Sequence, residues 1–298
     1  MAKTQPAPPP EEPEVRTSVA KAEQSLYASV LAIRDRHELE GLGIAFYDAE
    51  TSLQWSYNAD ALFHAASTMK LAVLLAVFRQ FTRGELAPDE PVHVRNKFLS
   101  IHDREPYMLD VNRDTEREVA EKLGRTMSVK DLAYHMITSS SNFATNLLVD
   151  VVGVPVIQTA LGELKIDGIR VLRGVEDNAA FEAGLNNEVS ANGLLKLLRL
   201  VAEGGAYGEE ASAQMREILL GQRYKSGIPA GLPPAARVAH KTGNIATVHH
   251  DAGIVYLEGR KPYVLVILTR FPSEAGGTTA VADLSRDIYE CLAGMNGG

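Results

Sequence analysis

Apolar and polar positions recur with two different periods along this chain, and the change of period marks the change of element. In "VRTSVAKAEQSLYASVLAIRDR", Val19, Leu26, Val30 and Ile33 fall on one side at helical spacing, which predicts an amphipathic helix. "GLGIAFYDAE" and "TSLQWSYNAD" read as two strands joined by a tight turn at "DAETS". In "HAASTMKLAVLLAVF" the apolar run from Lys70 to Phe78 predicts a buried helix, starting at about Ser67. From Arg83 to Arg125 the pattern is polar and irregular, with "RNKFLSIHDREPY" as its most apolar piece. "SVKDLAYHMITSS" predicts a helix with Ser128 as N-cap and Asp131 three residues on. "NFATNLLVDVVG" and "PVIQTALGELK" predict two short helices, Gly153 stopping one and Pro155 starting the next. "ANGLLKLLRLVAEGG" predicts another, ended by Gly204-Gly205.

The C-terminal third changes character. "ARVAHKTG", "DAGIVYLEG" and "KPYVLVILTR" read as three strands, and "TTAVADLSRDIYECLAG" as a closing helix. Strands at both ends of a chain join most simply into one antiparallel sheet. The predicted fold class is therefore α/β of the α+β type. A mainly antiparallel five-stranded sheet is flanked by helices, and an all-α lobe is built from the middle. The boundaries fall at 1–15 for a Pro- and Glu-rich leader, 16–66 with 222–298 for the α/β lobe, and 67–221 for the helical lobe. A cleft between the lobes is the natural place for a small-molecule site.

Composition narrows the function. With 298 residues, 45% of them hydrophobic, the chain can bury a large core. A net charge of -8 argues against nucleic acid or an anionic membrane as the main partner. The single cysteine, Cys291, leaves no intramolecular disulfide and no Cys-rich zinc site. No apolar stretch has the length of a membrane span. The N-terminus "MAKTQPAPPPEEPEV" lacks the apolar segment of a secretion signal and reads as a disordered arm. Neither a glycine-rich phosphate loop nor a dinucleotide fingerprint is present, so no cofactor is expected.

Three short motifs carry chemistry. Ser67 and Lys70 stand at i and i+3 and so share a helix face. Burial disfavours the ammonium form of a lysine, and a neutral Lys70 can take the proton that makes Ser67 a nucleophile. At a helix start, outward N–H groups favour developing negative charge. The plain alternative is a serine N-cap beside a snorkelling lysine. Ser140-Ser141-Asn142 stands at a helix junction and reads equally as a capping cluster. Lys241-Thr242-Gly243 ends a predicted strand, where a solvated lysine and a turn glycine are ordinary. Their common order, with strands at the ends and helices between, is what makes them informative together.

With these three motifs, the sequence from about Glu23 to Gly294 resembles the class A β-lactamases and related penicillin-recognising serine hydrolases. The resemblance implies that Ser67 is acylated and that Lys70 is its base or part of the activating proton network. It implies that Ser140 passes a proton to the leaving nitrogen, and that Asn142 binds the substrate amide and Lys70. Lys241 and Thr242 would hold the substrate carboxylate, and Gly243 would let the strand edge approach the ligand. The backbone N–H groups of Ser67 and Asn244 would form the oxyanion hole. The implied partner is a small β-lactam or peptidoglycan-like substrate, and the implied state a monomer in the periplasm or outside the cell.

The pattern departs from class A in three places. Ser141 stands where those enzymes usually have aspartate, as in the wider family that includes cell-wall peptidases. In "VLRGVEDNAAFEAGLNNEVS", Arg173 matches the loop's anchoring arginine and Glu176 is the candidate for the water-activating glutamate. Glu176, however, follows Arg173 by three residues where the family has two. Leu185-Asn186 comes late, and Glu182 is a rival that reads better as a solvated carboxylate. Past Lys-Thr-Gly, His250 stands where relatives carry a carboxylate-supporting arginine, a task a protonated histidine can do. His249 and Asp251 beside it make a metal conceivable, but no His-Glu-x-x-His run supports one. His64 and Tyr107 are candidate cleft residues, with ordinary packing as the alternative for His64. The expected activity is β-lactam hydrolysis through Ser67. The alternatives are a D-alanyl peptidase or esterase with slow deacylation, and a binding relative without catalysis.

Overall fold

The computed structural model describes residues 13–112, 114, 116–273 and 279–296, with backbone alone at 13–22 and 294–296. The predicted leader at 1–15 lies outside the described residues as far as residue 12. Helix α1 spans Pro13–Arg36. Strands β1 (Gly41–Asp48) and β2 (Gln54–Tyr57) follow as a hairpin. Its turn is tied by Asp48, whose carboxylate accepts a 2.6 Å bond from Thr51 Oγ1.

Central helix α2 (Lys70–Arg83) is apolar nearly all round and buried from Lys70 to Arg79. Burying each of Leu71, Leu74, Leu75, Val77 and Phe78 is worth roughly 1.5–3 kcal/mol. That gain offsets the cost of carrying an amine inward with them. Helices α3 (Val129–Thr138), α4 (Asn142–Val152), α5 (Val154–Glu163) and α6 (Ala191–Ala202) pack around it. Ser128 caps α3 by accepting from Asp131 N at 3.2 Å, and Gly153 separates α4 from α5, as the sequence predicts. Among the described residues, three helices show no readable pattern in the sequence, the short Arg117–Ala120 and Asn178–Glu182 and one of three turns. The stretch α7, Glu209–Leu220, is rich in charge, and its buried apolar residues are only Ala211, Met215 and Leu219, at i, i+4 and i+8.

Strands β3 (Arg237–Ile245), β4 (Val248–Tyr256) and β5 (Tyr263–Arg270) return to the sheet. Its order is β3-β4-β5-β1-β2, antiparallel throughout. Along β5, Leu265 and Ile267 face α1 and the closing helix α8 (Ala280–Asn296). Val264, Val266 and Leu268 face the α2 core. Both faces are covered, which is why "YVLVILTR" is continuously apolar instead of alternating. The helical segment and the inner sheet face share a single apolar cluster.

Two small pairings bear on the site. Phe63–His64 pairs with Glu188–Val189, which also pairs with Ile169–Arg170. This brings the turn before α2 against the segment at 173–187. Phe98–Leu99 pairs with Pro106–Tyr107 inside the region read as irregular. Among the described residues no single helix is long and apolar enough to cross a membrane.

Candidate active site

The sequence predicts a helix from Ser67. The structure instead places Ala66–Met69 in a 3₁₀ turn, and the α-helix proper begins at Lys70. The turn is anchored on every side. Thr68 N donates to Ala65 O at 3.0 Å and Ala65 N to Asn187 O at 2.9 Å. Ala66, at φ 45°, donates its N–H to His64 Nδ1 at 3.1 Å. Strand β3 lies directly on the turn. A Cβ at Gly243 would sit 3.0 Å from Thr68 Cγ2 and 3.1 Å from Thr68 N, so any side chain there would press the strand and the turn apart by a few tenths of an ångström. Ser67 is left half-buried at this junction.

Lys70 is fully buried. Its amine donates to Ser140 O (2.7 Å), Ser140 Oγ (3.1 Å) and Asn142 Oδ1 (2.9 Å). Burial pulls its pKa from the ordinary 10.5 down to about 7, against the upward pull of Asp114 and Glu176. Lys241, from β3, is also fully buried, and donates to the same Ser140 Oγ at 2.9 Å and to Thr242 O at 2.8 Å. Burial first, and then repulsion from Lys70, hold its pKa well below the lysine range. One hydroxyl thus receives two amines, at least one of which is held close to neutrality. That arrangement is able to move protons between a nucleophile and a leaving group.

Ser140 adopts a left-handed conformation, φ 61°, which costs roughly 1–2 kcal/mol for a residue with a Cβ. The next residue, Ser141, caps α4 by accepting from Ala144 N at 3.1 Å. The capping reading of this triplet is therefore right for Ser141, while Ser140 and Asn142 turn to the lysines.

Arg173 anchors the loop that follows it. Its guanidinium donates to Leu185 O (2.9 Å), Asn186 Oδ1 (3.0 Å) and Gly174 O (3.0 Å), so the late-coming Leu185-Asn186 closes the loop neck. Asn187 completes the closure, accepting from Leu172 N and donating to Arg173 O. Asn146, on α4, accepts from Val175 N at 2.6 Å and donates to Val175 O at 3.0 Å. It also donates to Tyr107 Oη at 3.3 Å, which places Tyr107 at the base of this loop. Neither Asn146 nor Asn187 was singled out from the sequence, because a side-chain amide bonded to a distant backbone leaves no local pattern. Glu176 is exposed, with φ 59°, and accepts from Asn142 Nδ2 at 2.7 Å. Glu182 is exposed at the end of the short helix Asn178–Glu182.

His250 does not take the part expected of it. Its ring is buried, accepts from Thr269 N on Nδ1 at 3.1 Å, and donates from Nε2 to His64 O at 3.0 Å. Burial lowers its pKa to about 4. A neutral ring with both nitrogens engaged has no charge or N–H left for a carboxylate, so the residue braces the Ser67 turn from behind. His64 packs edge-on against Phe181, with ring centroids 5.9 Å apart. Asp251 turns to the other face, where it meets His240 Nδ1 at 2.8 Å and accepts from Ile228 N. His249, His250 and Asp251 therefore share no metal-binding point. Among the described residues, Glu116, Glu118 and His135 do bring one ligand atom each within 4.8 Å. Arg223 Nη1, 2.8 Å from Glu116 Oε2, already supplies positive charge there.

A five-stranded antiparallel sheet with this helical segment, and two buried lysines that meet at the Ser140 hydroxyl, are the features of a hydrolase of the β-lactamase type. The profile of the β-lactamase enzyme family matches residues 26–292, and the protein belongs to that family. Its relatives are distant. The ROB-1 β-lactamase of Haemophilus influenzae is 25% identical over 288 residues, covering 91% of this chain and 86% of that protein. β-Lactamase 3 of Bacillus cereus is 28% identical over 268 residues, covering 86% and 78%. Among solved structures, PBP-A superposes with a TM-score of 0.78 at 22% identity, over 96% of this chain and 99% of its own. A β-lactamase of Desulfarculus baarsii gives 0.79 at 21%, over 91% and 98%. At these identities the structural likeness speaks for the fold.

Proposed function

We propose that the protein opens a β-lactam ring by acylation on Ser67 and then hydrolyses the ester. The observation that carries this reading is the Lys70 amine. It is fully buried at the start of α2, bonded to Ser140 and Asn142, and held near neutrality at physiological pH. Neutral Lys70 takes the proton of Ser67 as its oxygen attacks the ring carbonyl. The N–H groups of Ser67 and Asn244 receive the oxyanion. Ser140 gives a proton to the departing ring nitrogen and is resupplied from Lys70 or Lys241. Lys241 and Thr242 bind the substrate carboxylate, and Asn142 its amide. Glu176 then activates the water that cleaves the acyl-enzyme.

A second reading, a D-alanyl peptidase-like protein that acylates quickly and deacylates slowly, draws support from Glu176. Its carboxylate is exposed and bonded to Asn142. A penicillin G acyl-enzyme of a PBP-A mutant exists among the fold's solved relatives, so a persisting adduct is compatible with this architecture.

Intact-protein mass followed over time with benzylpenicillin tests both, with Ser67→Ala as control. An adduct that appears and clears while drug is consumed supports the lactamase reading. A lasting adduct moves the assignment to the peptidase-like reading. No adduct and no loss of drug on the wild type removes the β-lactam assignment, and an unchanged adduct on Ser67→Ala removes Ser67 as nucleophile.

A further inference from the structure

All three bonds of the Lys70 amine go to one short segment, Ser140 to Asn142. That segment enters α4 through the left-handed Ser140, so something outside it has to hold it in place. His135 O does part of this by accepting from Ser141 N at 3.2 Å. Further support comes from a residue far away in the polar loop. Asp114 Oδ2 accepts from Phe143 N at 2.8 Å and from Ser141 Oγ at 3.3 Å. One carboxylate oxygen therefore satisfies a first-turn N–H of α4 together with the capping hydroxyl. A carboxylate is favoured there by the helix N-terminus.

We propose that Asp114 is a positioning residue of this site. Its carboxylate, reaching in from a separate loop, fixes the Ser140–Asn142 segment against Lys70 and supplies a negative charge to the two-lysine cluster. The inference rests on the reading of Lys70 as the base for Ser67.

The charge balance around the cluster gives the second part its weight. Lys241 faces Lys70 from β3, and Glu176 approaches from the loop after Arg173. Asp114 is the larger of the two carboxylate influences that draw the Lys70 pKa upward. Glu116, two residues on, is engaged with Arg223 and lies beside His135, so Asp114 is the acid of this loop that works on Lys70. Ser141 has no charge of its own, and the carboxylate at this corner of the site is supplied from the other loop.

Two variants separate geometry from charge. Asp114→Asn keeps an oxygen for Phe143 N–H and removes the charge, together with the bond that the other carboxylate oxygen accepts from Glu116 N at 2.9 Å, whereas Asp114→Ala removes all three. The first readout is the titration of Lys70 by NMR on isotope-labelled lysine, assigned with Lys70→Arg. In Asp114→Asn the midpoint is expected to fall by about half a pH unit or more, since a favourable charge is gone. The second is the rate of adduct formation with benzylpenicillin, with circular dichroism confirming the fold. Asp114→Ala is expected to acylate about tenfold or more slowly, because small displacements of catalytic groups are costly, and Asp114→Asn to fall between it and the wild type. A Lys70 midpoint unmoved in Asp114→Asn overturns the electrostatic part, and a folded Asp114→Ala that acylates at the wild-type rate overturns the positional part. If the wild type neither forms an adduct nor consumes the drug, the Ser67 reading has failed, and the NMR titration still decides the role of Asp114.

Discussion

Lys70 carries the sharpest residue-scale consequences. With a pKa of about 7, its neutral fraction grows as pH rises through neutrality. Acylation is therefore expected to climb through an acid limb centred near pH 7, read by stopped-flow against a chromogenic cephalosporin. A rate flat from pH 5 to pH 9 would remove Lys70 as the base. The same shift bears on stability with a definite sign. Well above the ordinary lysine value the amine is neutral both folded and unfolded, and the shift costs nothing. As pH falls from about 10.5 to about 7 the unfolded chain takes up the proton while the folded one does not, so the penalty grows and is complete below about 7. That penalty is at most roughly 5 kcal/mol. The wild type should gain stability relative to Lys70→Met as pH rises from 7 to 10, which paired denaturant titrations can measure. An equal difference at both ends would contradict the shift. Glu176 makes a simpler case. Under the lactamase reading, Glu176→Gln should leave adduct formation within a few-fold and slow adduct clearance by about a hundredfold or more. Clearance at the wild-type rate would send the water-activating role elsewhere.

At the scale of elements, the site is a meeting of three backbones: the turn before α2, the entry to α4, and the edge of β3. Gly243 is where the strand touches the turn. A methyl group there would press on both backbone and side chain of Thr68 at about 3 Å, and backbone cannot yield as a flexible side chain can. Gly243→Ala should slow acylation tenfold or more, roughly the effect of a misplaced nucleophile, while the fold survives. Unaltered kinetics in that variant would mean the strand has room that the structure does not give it. The loop from Arg173 to Asn187 is held by side-chain amides and a guanidinium instead of an apolar core. Asn187→Ala strands the N–H groups of Leu172 and Arg173, and a buried donor left without a partner costs about 1–3 kcal/mol. A lowered melting temperature is the expected result, and an unchanged one would show that the neck is closed by Arg173 alone.

For the whole molecule, the sheet is the joint. Its strands come from residues 41–57 and 237–270, so the site forms only when distant parts of the chain have met. Behind Lys241, on the opposite face of the same strands, the buried His240–Asp251 pair fastens β3 to β4. Asp251 also accepts from Ile228 N, linking the sheet to the segment under α8. Asp251→Ala would leave a histidine and a backbone donor without a partner in the interior. A loss of about 3 kcal/mol or more is expected from equilibrium unfolding. A loss below that of an average surface substitution would mean the pair is dispensable.

Much of this was legible in the sequence, for reasons that are local. Ser128 and Gly153 act through bonds within a turn, so caps and breaks could be read directly. The α2 stripe and the two groups of strands follow from periodicity, which is imposed by burial on one or two faces. Ser67 and Lys70 stand three residues apart whatever the rest of the chain does, although the structure puts a 3₁₀ turn and not an α-helix between them. The remainder depended on contacts between residues far apart. That Lys70 and Lys241 converge on one Ser140 hydroxyl, and that Asp114 and Asn146 hold the pieces around them, is written nowhere within a window of a few residues. His250 shows the limit most clearly. Its place on the strand suited a substrate-binding role, and only the tertiary structure revealed that Thr269 N–H and His64 O already occupy both of its nitrogens. Local sequence sets which groups are present and which face they share. Packing decides which partner each group meets, and so its charge, its proton and the chemistry open to it.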